Sequence, residues 1–547
     1  NVSPWNGGNA IIGLQNSDGT LAVVPPGRNS LDTNWEATGE AWRFVPNGTS
    51  IASIAWYEGA TASGPVLGTN DILNVCPTAT TTYTAEITYT LCDGRTIKET
   101  DTTTVTVNGA KTWNGSVSTD WNVANNWTPV GVPTAMDCVV IADTANDPII
   151  SGTNFNGLGL NLTVNNNATL TVTPNNDLTI TEWVNINSTG DLVLQNSASL
   201  IQIDNDVNQG TMHMTRTANI RKLDYVYWSS PVTSFSVNSI SPGTSGYKYK
   251  WIPTIPSNTN GWGNWANANE NMVIGKGYIV RGPDSFTSTI TPFNAVFTGT
   301  PNNGIITTPI ARGGYVGTNY TAASGTLATE FDDNWNLIGN PYPSSINAID
   351  FLTANPNIDG FVNIWTHGTL PSSGIADPFY NDYAYNYTSN DYITYNSSGA
   401  STGPSTFGGY IGAGQGFFVL MNNTNVAATE NVTFNNSMRS SAYDNDQFFR
   451  TSDEAGRIWL DLIASNGSTV RNLVAYVDGA TNNRDRMFDA ISSEKLNFNL
   501  YSTIGNEIMK IQGRTLPFDQ EDRVPMGIKV SQNGNYTIGI GAVDGFF

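Results

Sequence analysis

The sequence predicts an all-β, multi-domain chain of β-sandwiches with a short parallel β-solenoid and a C-terminal β-sandwich. Three observations carry this. Short runs of Val, Ile, Thr, Tyr and Phe alternate with polar residues between Asn/Gly/Pro/Asp clusters along the whole chain, while helical periodicity is almost absent. Apolar pairs recur every six to eight residues between Leu160 and Ile203. A longer internal repeat relates the segment from Tyr225 to Phe297 to the segment from Trp335 to Phe434.

Length and composition bound the function. The 547 residues correspond to three to five domains at ~100–200 residues each. Charged residues make up 13%, with 24 Lys+Arg against 45 Asp+Glu and a formal net charge of −21. At 39% hydrophobic and 11% aromatic, the chain has the apolar material for real cores and is no disordered acidic tail. A basic face for phosphate neutralisation is lacking, which argues against nucleic acid. No stretch reaches the ~18 apolar residues of a membrane helix. The sequence shows no signal peptide and begins with Asn1, so it reads as a mature product or a segment of something larger. Low Lys, abundant Asn and Thr and three cysteines fit a bacterial exported protein.

Residues 1–47 read as trailing strands of a truncated β-sandwich, too few for an independent core. Residues 48–109 read as an immunoglobulin-like sandwich, with Trp56 in one strand and an eight-residue alternation at Tyr83–Thr90. Cys76 and Cys92 flank that strand and are placed to form a disulfide, with buried free thiols as the alternative; Cys138 is then left over. Residues 110–220 open with Trp113, Trp121 and Trp127, followed by the pairs Leu160/Leu162, Leu170/Val172, Leu178/Ile180, Val184/Ile186, Leu192/Leu194 and Leu200/Ile203. No such strand buries its apolar side alone, so stacked coils follow, with the Trp stretch as their cap. An ordinary meander of hairpins is the alternative.

Residues 221–330 and 331–450 are two copies of one β domain. Tyr225-Val226-Tyr227-Trp228-Ser229-Ser230-Pro231 matches Trp335-Asn336-Leu337-Ile338-Gly339-Asn340-Pro341, and Tyr249-Lys250-Trp251 matches Asn363-Ile364-Trp365. Ile274–Val280 matches Ala413–Val419, and Ala295-Val296-Phe297 matches Val432-Thr433-Phe434. The second copy carries an insertion rich in Tyr and Asn at about 376–408, and a short helix is expected near Ala348–Thr353. A groove between the copies is the natural binding cleft. Residues 455–547 form a last sandwich, with a hairpin turning at Asn466-Gly467.

Catalytic signatures are sparse. With only His213 and His367, no HExxH zinc site exists; there is no CxxC pair and no G-x-S-x-G elbow, and no metal or cofactor is expected. Both histidines read as structural or exposed. Carboxylate pairs for glycoside hydrolysis remain open at Asp332/Asp333, Asp444/Asp446 and Asp204/Asp206. Asp204-x-Asp206-x-Asn208-x-Gly210 misses the calcium-loop spacing by one residue and reads as a turn. Gly275-Lys276-Gly277 and Gly412–Gly416 precede strands rather than helices, so their glycines read as places of close backbone approach rather than a phosphate loop. Trp262, Trp265, Tyr383 and Tyr385 are candidate glycan-stacking rings, weighed against a role as core filling. No catalytic residue is assigned.

The last segment carries a recognisable pattern. It runs Val477-Asp478-Gly479-Ala480-Thr481-Asn482-Asn483-Arg484-Asp485, then Leu500-Tyr501-Ser502, Gly513-Arg514-Thr515-Leu516-Pro517-Phe518 and Val524-Pro525-Met526-Gly527. It resembles the C-terminal sorting domains of cargo of the Bacteroidota type IX secretion system, nearest to the type C variant. The resemblance covers about 90 of the 547 residues. It implies a partner in the outer-membrane translocon or its shuttle protein, read through Gly479, Ala480, Thr481, Asp485, Gly513, Leu516, Pro517, Val524 and Pro525. Such domains continue past Val543-Asp544-Gly545 into a terminal hairpin that this chain does not show. The stretch from Thr112-Trp113-Asn114-Gly115 to Trp127, and Trp335–Pro343, are similar to parts of flavobacterial surface adhesins.

The expected function is a non-enzymatic cell-surface adhesin or adhesin fragment, secreted and held at the outer membrane, with a role in gliding motility or attachment. Its upstream modules are expected to serve as spacer, with the duplicated domain as the candidate binder of surface polysaccharide or of another surface protein. The alternatives are a secreted polysaccharide-degrading enzyme using a carboxylate pair, and a pure structural spacer.

Overall fold

The computed structural model describes residues 50–547 apart from short segments, the longest being 255–262, 375–386 and 446–455; of the first 49 residues it describes only three short strands. The chain is all-β, 47% strand and 4% helix, and it divides into two compact units, Asn1–Ala110 and Lys111–Phe547. No helix among the described residues is long and apolar enough to cross a membrane.

In the first unit, Gly13–Gln15 lies between Leu21–Ala22 and Phe44–Val45 in an antiparallel sheet. A second antiparallel sheet joins Ser50–Glu58, Thr81–Thr90 and Thr96–Val105. Among the described residues this is one three-stranded sheet. Trp56 is tied down by its indole N–H, which donates to the Asn70 carbonyl at 2.9 Å. Cys76 and Cys92 lie outside the described residues. Cys138 is disulfide-bonded.

The second unit begins with the solenoid, of about four turns. One parallel face stacks Val184–Ile186, Asn161–Val164, Cys138–Ile141 and Lys111–Trp113. A second stacks Ile149–Ile150, Thr169–Val172, Asp191–Leu194 and Met212–Ile220, and a third stacks Asn156–Gly159, Asp177–Ile180 and Ser199–Gln202. Each coil returns after about 22 residues, as Thr189 bonding Asn167 shows. Every second side chain points inward. The resulting columns, such as Ile150–Val172–Leu194–Met214 and Trp113–Ile141–Val164–Ile186, are fully buried. The hairpin alternative is excluded by this parallel register.

Both ends of the stack are closed. At the start, Trp127–Thr128 pairs antiparallel with Lys111–Trp113 and ends the parallel run. There Trp127 meets Trp113 and Trp121 edge-on at 5.1 and 4.7 Å, all three fully buried. At the far end, Gln202 and Asn208 exchange amide hydrogen bonds at 2.8 and 2.7 Å. The segment 204–210 is thus the turn out of the solenoid. The carbonyls of Asp204 and Asp206 accept from Asn303 there.

The two copies share one topology. In the first, the sheet order is Tyr225–Trp228, Tyr278–Arg281, Lys248–Ile252, Asn264–Asn267; in the second it is Trp335–Gly339, Gly416–Leu420, Val362–Trp365, Tyr392–Asn396, with Gly399–Ala400 added. A helix follows the first strand of each: Val237–Ile240 capped by Ser236, and Ala348–Ala354 capped by Asn347. A long hairpin-like pair completes each copy. Thr291–Gly299 pairs with the solenoid's own strand Met212–Ile220, and Thr429–Phe434 pairs with Ile306–Ala311. One strand of the first copy therefore continues a solenoid sheet, while its four-stranded sheet is separate.

The C-terminal segment is a single seven-stranded mixed sheet, in the order Met526–Val530, Phe498–Ile504, Glu507–Arg514, Thr469–Tyr476, Gly456–Ala464, Tyr536–Gly545, with Ala490–Ile491 beside Glu507–Arg514. One face is packed on the second copy, where Trp459, Leu473 and Ile511 share a core with Phe361 and Leu420. The Trp459 indole donates to the Ala400 carbonyl at 2.9 Å.

Candidate functional site

The two copies meet face to face through aromatic rings. Tyr227 stacks on Trp365 at 5.6 Å, Trp251 meets Phe418 edge-on at 5.3 Å, and the Tyr227 and Tyr392 hydroxyls lie 2.5 Å apart. Burial pushes the Tyr392 phenol well above its ordinary pKa. The strands cross so closely that Gly277 has no room for a side chain: a Cβ there would lie 2.7 Å from the Ile338 carbonyl. This is the close approach expected of the glycine segments. Trp265 sits in this aromatic cluster, half-buried, 5.1 Å from Trp251 and 6.1 Å from Phe418. The groove expected between the copies is filled along this interface. Trp262, Tyr383 and Tyr385 lie outside the described residues.

A cavity of about 370 Å³ opens at one margin of the interface, where the strand Met212–Ile220 meets both copies. Three elements build it. The solenoid strand supplies Arg216, Thr217 and Asn219; the first strand of copy one supplies Tyr227 and Trp228; copy two supplies Trp365, His367 and the segment Ala413–Gly416. Arg216 points to the inner face of its strand because it shares parity with Met212 and Met214, and it is 5% exposed. Its guanidinium donates to the Asn445 carbonyl at 2.8 Å. Gln415 is fixed by its Oε1, which accepts from the Gly412 N–H at 3.0 Å. Among the described residues no Asp or Glu lines the cavity.

His367 has a φ of 42°, the left-handed region that few non-glycine residues adopt. Its Nδ1 is buried without a hydrogen-bond partner. Burial, only partly offset by the charge of Asp224, holds the imidazole below its ordinary pKa. In sequence His367 reads as a turn residue, and Arg216 and Gln415 carry no functional signal. An isolated Arg in an alternating strand carries no signal of which module will cover it. His213, on the outer solenoid face, bonds Asp191 at 2.7 Å.

The carboxylate pairs are placed as follows. The Asp332 carboxylate accepts from the N–H and hydroxyl of Thr329 at 2.8 Å, closing a turn. Asp333 accepts from the Tyr315 N–H at 2.6 Å, and burial raises its pKa. Asp446 lies outside the described residues. Among the described residues no group of three or more His, Cys, Asp or Glu is arranged to hold a metal ion.

The motif residues of the C-terminal sheet fall into two sets. Gly479, at φ 82°, turns the chain and Ala480 is buried. The Thr481 N–H donates to the Asp485 carboxylate at 2.5 Å, and the Asp485 N–H donates to Asp489 at 2.6 Å. The other oxygen of Asp489 accepts from the Gly513 N–H at 2.8 Å, and burial raises this carboxyl to a pKa of about 6. These residues hold a turn against the sheet. Leu516 and Val524 are half-buried, and Pro517 and Pro525 are exposed.

A family model described as "Domain of unknown function (DUF8693)" matches residues 112–547. The chain belongs to that family. The match starts within the first solenoid strand and runs to the last residue, so family and second compact unit nearly coincide. No curated protein and no solved structure matches the chain.

Proposed function

We propose that this chain is a non-enzymatic cell-surface adhesin exported by the type IX secretion system, with residues 455–547 as the part read by the translocon or its shuttle. The solenoid and the duplicated domains form the spacer, and they carry a site for surface polysaccharide.

One observation supports the export reading above the others. The C-terminal sheet covers one face with the second copy, and leaves apolar side chains exposed on the opposite face at both of its edges. Ile538 pairs with Leu462 and Ile540 with Leu460, while Ile528 pairs with Leu500 and Val530 with Phe498. Directly paired residues share a face. The middle of that face is a small cluster of Leu462, Val470 and Leu500. At its margins Ile538 is 58%, Ile540 68% and Ile528 46% exposed. Among the described residues the strands Tyr536–Gly545 and Met526–Val530 each pair on one side only. Unpaired edges with apolar side chains are what a partner recognising a folded β surface would use.

The test is display of the full chain on cells of a type IX-competent host. Ile538→Asp with Ile540→Asp is expected to cut protease-accessible surface protein at least ten-fold, with the purified variant keeping its melting temperature because both side chains are already solvated. Undiminished display of the variant would sink the proposal.

A further inference from the structure

The turn that follows the solenoid strand Met212–Ile220 is gripped by two segments of the second copy. The Tyr387 hydroxyl donates to the Leu223 carbonyl at 2.8 Å and accepts from the Tyr225 N–H at 3.0 Å. Arg221 reaches the other way, donating to the His367 and Gly368 carbonyls at 3.2 and 3.3 Å. Asp391 holds the two gripping segments together, accepting from the Thr369 N–H at 2.7 Å and the Thr388 N–H at 3.0 Å. His367 stands inside this joint. Its ring bonds the Asn219 backbone near the end of the solenoid strand, and its Nδ1 is buried without a partner.

The surroundings of the ring decide how it bears a proton. Asp224 and Asp391 favour the charged form and Arg221 opposes it. Arg216, bonded to the Asn445 carbonyl, stands in the wall of the same cavity. The Tyr387 phenol is kept neutral by burial. Asp224 is wholly buried, and its Oδ2 already accepts from the Arg221 N–H and guanidinium at 2.8 and 2.9 Å. Its charge is thus largely matched before His367 draws on it. Desolvation outweighs these charges and holds the imidazole below its ordinary range.

We propose that His367 is an acid-operated release in this joint: a proton taken up at Nδ1 loosens the second copy from the turn 221–225. A histidine held below its ordinary range binds its proton less tightly in the folded chain than in the unfolded one. Its stabilising share is therefore full above that range, which lies at about 6.5, and is lost as the pH falls. Nothing in the joint depends on the adhesin reading or on the route of export.

The test uses the purified full chain with isotope-labelled histidine, in which only His213 and His367 report. His213→Asn, on the outer solenoid face, assigns the two signals. The His367 signal is expected to titrate below the ordinary histidine range. Over the same change of pH, hydrogen exchange of the amides at 221–225 and 366–369, corrected for the intrinsic rate, is expected to rise at least five-fold while the buried solenoid columns stay protected. His367→Asn places a non-titrating side chain that accepts the left-handed backbone, and is expected to abolish that rise. A rise that persists in His367→Asn overturns the proposal, as does a His367 signal that titrates at or above the ordinary range. Exchange that is flat in the wild type on acidification also overturns it. Exchange that slows would show the protonated Nδ1 pairing with Asp224 Oδ1, which has no partner, and would overturn the release as well. The wild-type measurements stand whether or not His367→Asn folds.

Discussion

Trp251 and Trp365 make the same hydrogen bond in opposite directions. The Trp251 indole of the first copy donates to the Trp335 carbonyl of the second at 2.8 Å, and the Trp365 indole of the second donates to the Tyr225 carbonyl of the first, also at 2.8 Å. Trp251 and Trp365 are equivalent in the repeat, as are Tyr225 and Trp335. The pattern continues: Ser229 N–H donates to Gly414 and Gly339 N–H to Gly275, at 2.7 and 2.9 Å. Duplication has produced a self-complementary contact within one chain, the intramolecular counterpart of an isologous dimer.

This reciprocity predicts matched costs. Trp251→Phe and Trp365→Phe each keep an aromatic ring but leave one backbone carbonyl without its donor. Each is expected to lower stability by about 1–3 kcal/mol, measured by chemical denaturation. Trp365 lies in the more buried position, 8% exposed, so its loss should be the larger. A negligible effect of both would show that the indole bonds are not what holds the copies together.

The C-terminal sheet is docked on the second copy by a compact set of contacts. Arg486 donates to the carbonyls of Ile358, Leu352 and Asn355 at 2.7, 2.8 and 2.7 Å, satisfying the open C-terminal end of the helix Ala348–Ala354. Arg484 pairs with Asp359 at 2.9 Å. Between them, a Cβ at Gly360 would overlap the Arg486 carbonyl. Gly360→Ala is therefore expected to loosen the docking. Hydrogen exchange should rise across 456–514 while the solenoid amides stay protected. Uniform exchange across the unit would contradict this picture.

The modules that rest on short-range pattern were legible. Period-two alternation with turns at Asn165–Asn167 and Asn175–Asp177 gave the solenoid, and Trp113, Trp121 and Trp127 gave its cap, because each coil repeats the same local physics. The repeat was legible because equivalent residues keep their order. The fusions were not. Nothing local in Met212–Ile220 says that its far side pairs with Thr291–Gly299. Trp265 carries the same side chain whether it fills an interface or faces a ligand, and only the packed partner decides. Arg216 and Arg439 are single cations in polar surroundings, and their roles come from elements more than two hundred residues away.

Arg439 shows what such a residue does. It is 5% exposed and donates to four neutral acceptors: the Leu200 carbonyl at 2.6 Å, Ser344 Oγ at 2.9 Å, Asn436 Oδ1 at 2.9 Å and Asn303 Oδ1 at 3.1 Å. Its guanidinium also lies over the Tyr342 ring, 4.5 Å from the centroid. Burial lowers its pKa to about 10, so it stays charged at neutral pH. The side chain ties the tail of the second copy to the last solenoid coil. Arg439→Met keeps much of the volume but strands these acceptors, and is expected to cost about 3 kcal/mol in a denaturant titration. Arg439→Lys should recover part of it through a single ammonium.

Asp177 offers the cleanest pH prediction. It lies in the solenoid ladder between Asn156 and Ser199, 9% exposed. Burial raises its pKa from 3.8 to about 6, with a hydrogen bond from Ser199 opposing the shift. The folded state therefore binds this proton more tightly than the unfolded chain. The associated stability is fully present below pH 4 and is lost as the pH rises through 6. Asp177→Asn keeps a partner for Ser199 and removes the ionisation. Relative to the wild type it is expected to be more stable at pH 7, by up to about 3 kcal/mol, with the difference vanishing near pH 4. Melting curves of both proteins from pH 4 to 8 check this. A difference that is constant across the range would place the carboxylate in water rather than in the ladder.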